Sequence, residues 1–221
     1  TMTVRERWLA ALDMKPVDRL LFWPKLGGNY QTMRRGKFAK MNNTEFHNYI
    51  GSDNHNHIPG CHREVRPNSS GENRKIDDST RQVVYRVGDK ELESTLSHDP
   101  ASASWHPMTF PVKSKEDIAT MAAWYRDARV EVNEDNLVKG RKRIAAAPDD
   151  AVWVDGIGES PLMMFVEHLA GVENAHFFLL DARDEVEDLF DAMHQNLLRK
   201  AEVAADKSIA DATYLVENTS T

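Results

Sequence analysis

Carboxylates, imidazoles and amides able to move a proton or hold a small molecule fall just behind short apolar runs in this chain. Residues 20–23 (Leu-Leu-Phe-Trp) are followed by Lys25, Asn29 and Tyr30. Residues 151–154 are followed by Asp155, Glu159 and Ser160, and residues 212–216 by Glu217 and Asn218. Asp53, His55 and His57 take the same place behind a second strand. In parallel (β/α) architectures the chemistry gathers at the carboxyl ends of the strands. Glu159 and Glu217 are therefore the candidate catalytic residues, because a carboxyl group whose pKa is raised by burial can exchange protons near neutral pH. The plainer alternatives are a helix N-terminal carboxylate for Glu159 and an exposed loop residue for Glu217. The other nine, from Lys25 to Asn218, are candidate substrate-binding residues.

Other groupings point to less. His55, His57, Cys61 and His62 could bite a metal ion, but no second cysteine exists and the spacing matches no zinc motif. A polar loop lining a pocket is the better reading, and no metal ligand is assigned. Gly156-Ile157-Gly158 has neither the third glycine of a dinucleotide loop nor a Walker lysine. Met163, Met164 and Phe165 read as helix core.

The elements that must position these residues follow from periodicity. Thr3 and Glu6 form a capping box for a helix whose buried face carries Val4, Trp8, Ala11 and Leu12. The wholly apolar run 20–23 suits a buried parallel strand. A helix is expected near 44–50, a loop over 67–79, and a hairpin of strands 81–87 and 90–95 turning at Gly88-Asp89. Ser114 caps a helix with Ile118, Met121, Ala122 and Tyr125 on its inner face, and another helix covers 134–146. Ser160 and Pro161 start a helix that ends at Gly171. Val186, Leu189, Phe190, Met193 and Leu197 mark a long amphipathic helix. Strands alternating with helices at this spacing predict βαβ units and a parallel sheet.

Composition narrows the function classes. A 221-residue chain with net charge −7 and no basic run argues against nucleic acid as a partner. The most apolar stretch, 162–169, is far too short to span a bilayer and contains Glu167 and His168. The charged opening has no signal-peptide core, and a single cysteine suits a reducing compartment, so a cytoplasmic location is expected.

Three stretches, in order, resemble the uroporphyrinogen decarboxylase superfamily. The first is Arg5-Glu6-Arg7-Trp8-Leu9-Ala10-Ala11-Leu12, with Pro16-Val17-Asp18-Arg19 and Phe22-Trp23-Pro24 after it. The second is Gly156-Ile157-Gly158-Glu159-Ser160-Pro161 with Gly171, and the third is the final strand running into Glu217-Asn218-Thr219-Ser220-Thr221. The resemblance implies an α/β fold: a partial TIM (β/α)8 barrel, truncated after the fourth or fifth strand. It would be one domain over 1–221, with 67–100 as a loop and hairpin insertion.

The superfamily includes the decarboxylase of porphyrin biosynthesis, a lyase, and methyltransferases serving corrinoids, thiols or pterins. Here the decarboxylase's Met-Arg-Gln-x-Gly-Arg-Tyr segment corresponds to Pro24-Lys25-Leu26-Gly27-Gly28-Asn29-Tyr30. Lys25 keeps a charge without the guanidinium fork and Asn29 loses it. The decarboxylase's pyrrole-binding aspartate falls on Gly60, and a functional tyrosine falls on Glu167. The resemblance therefore implies methyl transfer between a corrinoid or pterin and an acceptor, with Glu159 and Glu217 as acid–base groups or as anchors for a pterin or amine. Porphyrinogen decarboxylation and a catalytically inert interaction subunit are the alternatives. It further implies zinc, held by a His-x-Cys pair and a later cysteine beyond Thr221, a small-molecule substrate, a corrinoid protein as partner, and a homodimer.

Overall fold

The computed structural model describes residues 1–24, 26, 29–147 and 151–217. Lys25, Asn218 and the side chain of Asn29 lie outside this set. In chain order come helices α1 (Val4–Leu12) and α2 (Asn29–Thr32), a 3-10 turn (Gly36–Lys40) and helix α3 (Asn43–Tyr49). Strands β1 (Asn56–His57), β2 (His62–Val65), β3 (Ser69–Lys75), β4 (Thr80–Val87), β5 (Lys90–Asp99) and β6 (Ser104–Pro107) follow. Then come α4 (Lys115–Arg126), β7 (Arg129–Val132), α5 (Glu134–Ala145) and β8 (Trp153–Glu159). The last elements are α6 (Pro161–Met164), a π-helical turn (Phe165–Leu169), α7 (Val172–Asp181), α8 (Arg183–Lys207) and β9 (Ala212–Val216).

The architecture is mixed α/β, and no closed barrel forms among the described residues. Three strands make a parallel sheet in the order β1-β8-β9, with His57 opposite Val154 and Val154 opposite Ala212. A register irregularity between Gly156 and Gly158 lets Glu159 end opposite Val216. A separate antiparallel sheet runs β3-β4-β5-β6, and β2 pairs with β7. No helix among the described residues is long and apolar enough to cross a membrane.

The main core lies where α4 and α8 cross, with Ile118, Met121, Val186 and Leu189 packed on Phe165 and Leu169 of the π-helical turn. A smaller cluster of Cys61, Leu137 and Ala204 holds α5 and α8 together. Trp124 ties α4 to the antiparallel sheet. The Arg66 guanidinium stacks 3.3 Å from its ring centroid, Tyr85 meets it edge-on, and its indole N–H donates to the Ser70 carbonyl at 3.4 Å.

Three expectations need correction. The 67–79 loop instead contains β3, paired residue for residue from Ser69↔Val87 to Lys75↔Arg81. Its polar sequence carries no alternation because most of it faces solvent on both sides. The helix expected over 161–171 is broken by the π-helical turn. Residues 20–23 form no strand, and they are exposed rather than buried: Leu20 is 87% and Phe22 48% accessible. Trp23 donates its indole N–H to Asn54 Oδ1 at 3.3 Å, and Phe22 is held by Asp53. Asp53 donates its backbone N–H to the Phe22 carbonyl at 2.7 Å and accepts the Phe22 N–H on its carboxylate at 2.9 Å.

That carboxylate is wholly buried. It takes Arg7 Nη1 at 2.6 Å and Arg19 Nη1 and Nη2 at 2.5 and 2.8 Å, while Arg7 also reaches Asp18 at 2.7 Å. Burial pushes the Asp53 carboxyl up. The Phe22 amide, Arg19 and Arg7 pull it down harder, leaving it below its ordinary value of 3.8. A carboxylate favoured in this way stabilises the fold above its unfolded pKa and withdraws that support as pH falls through the folded one. Removing one partner of a buried ion pair costs about 3–5 kcal/mol. Asp53→Ala is accordingly expected to lose about 3–5 kcal/mol in urea unfolding at neutral pH. The deficit should start to shrink below about pH 4, where the unfolded chain's aspartate takes up its proton, and vanish once pH falls through the lower folded value.

Candidate functional site

A cavity of about 1040 Å³ lies against the parallel sheet, large enough for a ligand of several fused rings. Its floor is sheet: Val154 from β8 and Ala212, Thr213, Tyr214 and Val216 from β9. Trp8 and Leu12 of α1, Trp23 and Leu26, Tyr30 of α2, and Asn43 and His47 of α3 close one side. Asn54, His55 and His57 enter along β1, and Ser102 to Ser104, in the turn before β6, form a lip.

The sequence places these side chains for local reasons. Trp8 faces inward because Thr3 starts α1 in the required phase; its Oγ1 accepts the Glu6 N–H, and the Glu6 carboxylate accepts the Thr3 N–H. The Trp8 indole then donates to the Asp53 carbonyl at 2.8 Å. His47 is held by Ser52 Oγ at 2.7 Å from its Nδ1. Burial, helped by the charge of Arg34, pushes the His47 ring below its ordinary 6.5.

His55 is the most perturbed of the lining groups. Trp8 meets it edge-on with ring centroids 5.4 Å apart, Trp23 lies at 4.2 Å and His57 at 5.1 Å. Its Nδ1 is shielded from solvent with no hydrogen-bond partner among the described residues. Burial first, then the neighbouring His57 and His47, push its pKa down to about 4. The ring is therefore neutral at pH 7, an apolar plate with an unused nitrogen.

The described lining contains neither arginine nor lysine. Arg34, from nearby, is committed to the carbonyls of Met41, Asn42 and Leu26 and to Asn43 Oδ1. The described lining, mostly aromatic and apolar, suits a flat heterocycle.

Of the residues expected to bind substrate, Tyr30, His55 and His57 line the cavity. Asp53 does not: its carboxylate serves Arg7, Arg19 and Phe22. Asp155 is also structural, accepting Ser208 Oγ at 2.7 Å and Thr213 Oγ1 at 2.6 Å to fasten the α8–β9 connection beneath the sheet. Ser160 caps α6, its Oγ accepting the Met163 N–H at 3.3 Å. Glu217 is exposed after β9. Glu159 is partly buried at the carboxyl end of β8 and faces His168 and Glu167.

Cys61 is buried with its thiol toward the Val203 carbonyl at 3.8 Å, and burial, then Asp155, push its pKa up. Sequence reasoning missed Trp8, Trp23, His47 and Tyr214 as lining residues. Their signals were present only as apolar face or strand, since an aromatic ring reads alike whether it fills a core or walls a cavity.

Set against models of known protein families, curated proteins and solved structures, the chain matches none.

An NMR titration should give the His55 ring a midpoint of about 4 and leave it uncharged through neutral pH. A midpoint at the ordinary 6.5 would mean a solvated ring and an open, wet site.

Proposed function

We propose that this chain is part of a (β/α) barrel of the uroporphyrinogen decarboxylase superfamily type, and that it binds a flat, largely uncharged heterocycle for methyl transfer. The heterocycle is a corrin or a pterin, and the methyl group passes between it and an acceptor. Support for the barrel comes from strand order. β1, β8 and β9 are parallel and adjacent in the order in which they occur, as strands wound one way around a barrel are.

The observation carrying the functional reading is the cavity lining. A porphyrinogen bears many carboxylates, and desolvating them without guanidinium or ammonium partners is costly. The described walls offer Trp8, Trp23, Tyr30, His55, His57 and Tyr214 but no cation. Aromatic faces and a neutral imidazole gain most from stacking on a planar ring. The Gly60 and Glu167 positions, where the decarboxylase has its aspartate and tyrosine, favour the same choice.

Methylcobalamin and a methylated tetrahydropterin, each titrated into the protein, test this through tryptophan fluorescence, because Trp8 and Trp23 wall the cavity. One of the two is expected to quench the signal saturably. Trp23→Ala is expected to weaken binding at least about tenfold, the worth of one good aromatic contact. Carbon dioxide release from uroporphyrinogen, with neither methyl carrier bound, would overturn the proposal in favour of the decarboxylase.

A further inference from the structure

Beside the cavity, at the carboxyl end of the parallel sheet, Glu159, Glu167 and His168 bring one ligand atom each to within 4.8 Å of one another. His168 Nε2 stands 3.3 Å from Glu159 Oε2 and 3.8 Å from Glu167 Oε2. From this cluster we infer a binding site for a divalent first-row transition ion, Zn2+ before Mn2+, held by two carboxylates and one imidazole.

The contacts of His168 with the two carboxylates, at 3.3 and 3.8 Å, bracket the spacing of ligands around one ion. Donor atoms about 2.1 Å from a tetrahedral centre stand about 3.4 Å apart. The His168 contact with Glu159 does not have hydrogen-bond geometry: Glu159 Oε2 is shielded from solvent and accepts no hydrogen bond among the described residues. A buried carboxylate oxygen without a donor is costly unless a cation neutralises it. An ion on the shared side of Oε2 and Nε2 supplies that charge.

The backbone is shaped for the same convergence. In an α-helix, neighbouring residues point about 100° apart, since about 3.6 residues make a turn. Glu167 and His168 are neighbours in the π-helical turn 165–169, where Ala170 N–H bonds to the Phe165 carbonyl at 2.8 Å, and both come within reach of Glu159. Single π turns of this kind recur at functional sites. The core anchors the turn on the other side, where Phe165 and Leu169 are fully buried. On β8, the irregularity at Gly156/Gly158 and a φ of +119° at Gly158 set the direction in which Glu159 leaves the strand.

Mixed nitrogen and oxygen donors favour Zn2+ or Mn2+ over Mg2+ and Ca2+, which take oxygen almost alone. Three protein ligands leave at least one coordination position for water or substrate. Glu159 is the register partner of Val216, a lining residue of the cavity. The ion's site stands whatever heterocycle fills the cavity.

Chelator-treated protein is titrated with Zn2+ and, separately, Mn2+ by calorimetry, and with Co2+ by visible absorption. One Zn2+ per chain is expected, with Mn2+ weaker by at least about tenfold. Glu159→Gln, Glu167→Gln and His168→Asn should each weaken Zn2+ at least about tenfold. Because the chain has 9 histidines, His57→Asn serves as control and should leave Zn2+ affinity unchanged. Glu167→Gln leaves the Glu159–His168 pair in place, so a loss of metal there cannot come from loss of that contact, and circular dichroism checks that each variant is folded. No stoichiometric Zn2+, or full affinity in both glutamine variants, would overturn the site. So would binding lost with His57→Asn and kept in His168→Asn.

Discussion

The Asp53 carboxylate is the hinge pin of the N-terminal part of the molecule. Four N–H donors from three residues converge on it: one from Arg7 of α1, two from the fork of Arg19, and the amide of Phe22. Without it, the exposed apolar run 20–23 has neither a strand partner nor a core to hold it. A buried carboxylate is stabilising only when its lone pairs are met, and here the buried Arg7, the exposed Arg19 and the Phe22 amide meet them. The consequence reaches the cavity directly, since α1 and residues 20–23 bring Trp8 and Trp23 against His55.

That arrangement explains why the cavity can be large and apolar while its surroundings are charged. The ionic network lies behind the tryptophans, where Arg7 and Arg19 are already neutralised. The enclosure in front of them is left to aromatic rings and a histidine that burial keeps neutral. At the far end of β8 the chemistry changes, with two carboxylates and an imidazole gathered at a π-helical turn beside Val216.

Much of the framework was legible in the chain. The Thr3–Glu6 capping box, the Ser114 and Ser160 caps, the helix with Ile118, Met121 and Ala122 inward, and the parallel strands at β8 and β9 follow from rules acting over a few residues. Such rules are local, so a sequence states them directly. The strand β3 was illegible because both of its faces are wet and its partner supplies all of its order. The π-helical turn was illegible because its extra residue answers to the core on Phe165 and Leu169, not to local preference.

The candidate site divides along the same line. From Tyr30, Glu159, His55 and His57 alone, the sequence placed polar groups near the ends of short apolar segments. It could not tell that Asp53 and Asp155 are consumed by Arg7, Arg19, Ser208 and Thr213, contacts spanning up to 58 residues of chain. Nor could it tell that His168 turns back onto Glu159. Residue type and local spacing thus determined the capped helices and the strands β8 and β9. Which side chain is free to meet a ligand depends on partners distant in sequence, and only the tertiary structure brings those partners within hydrogen-bond range.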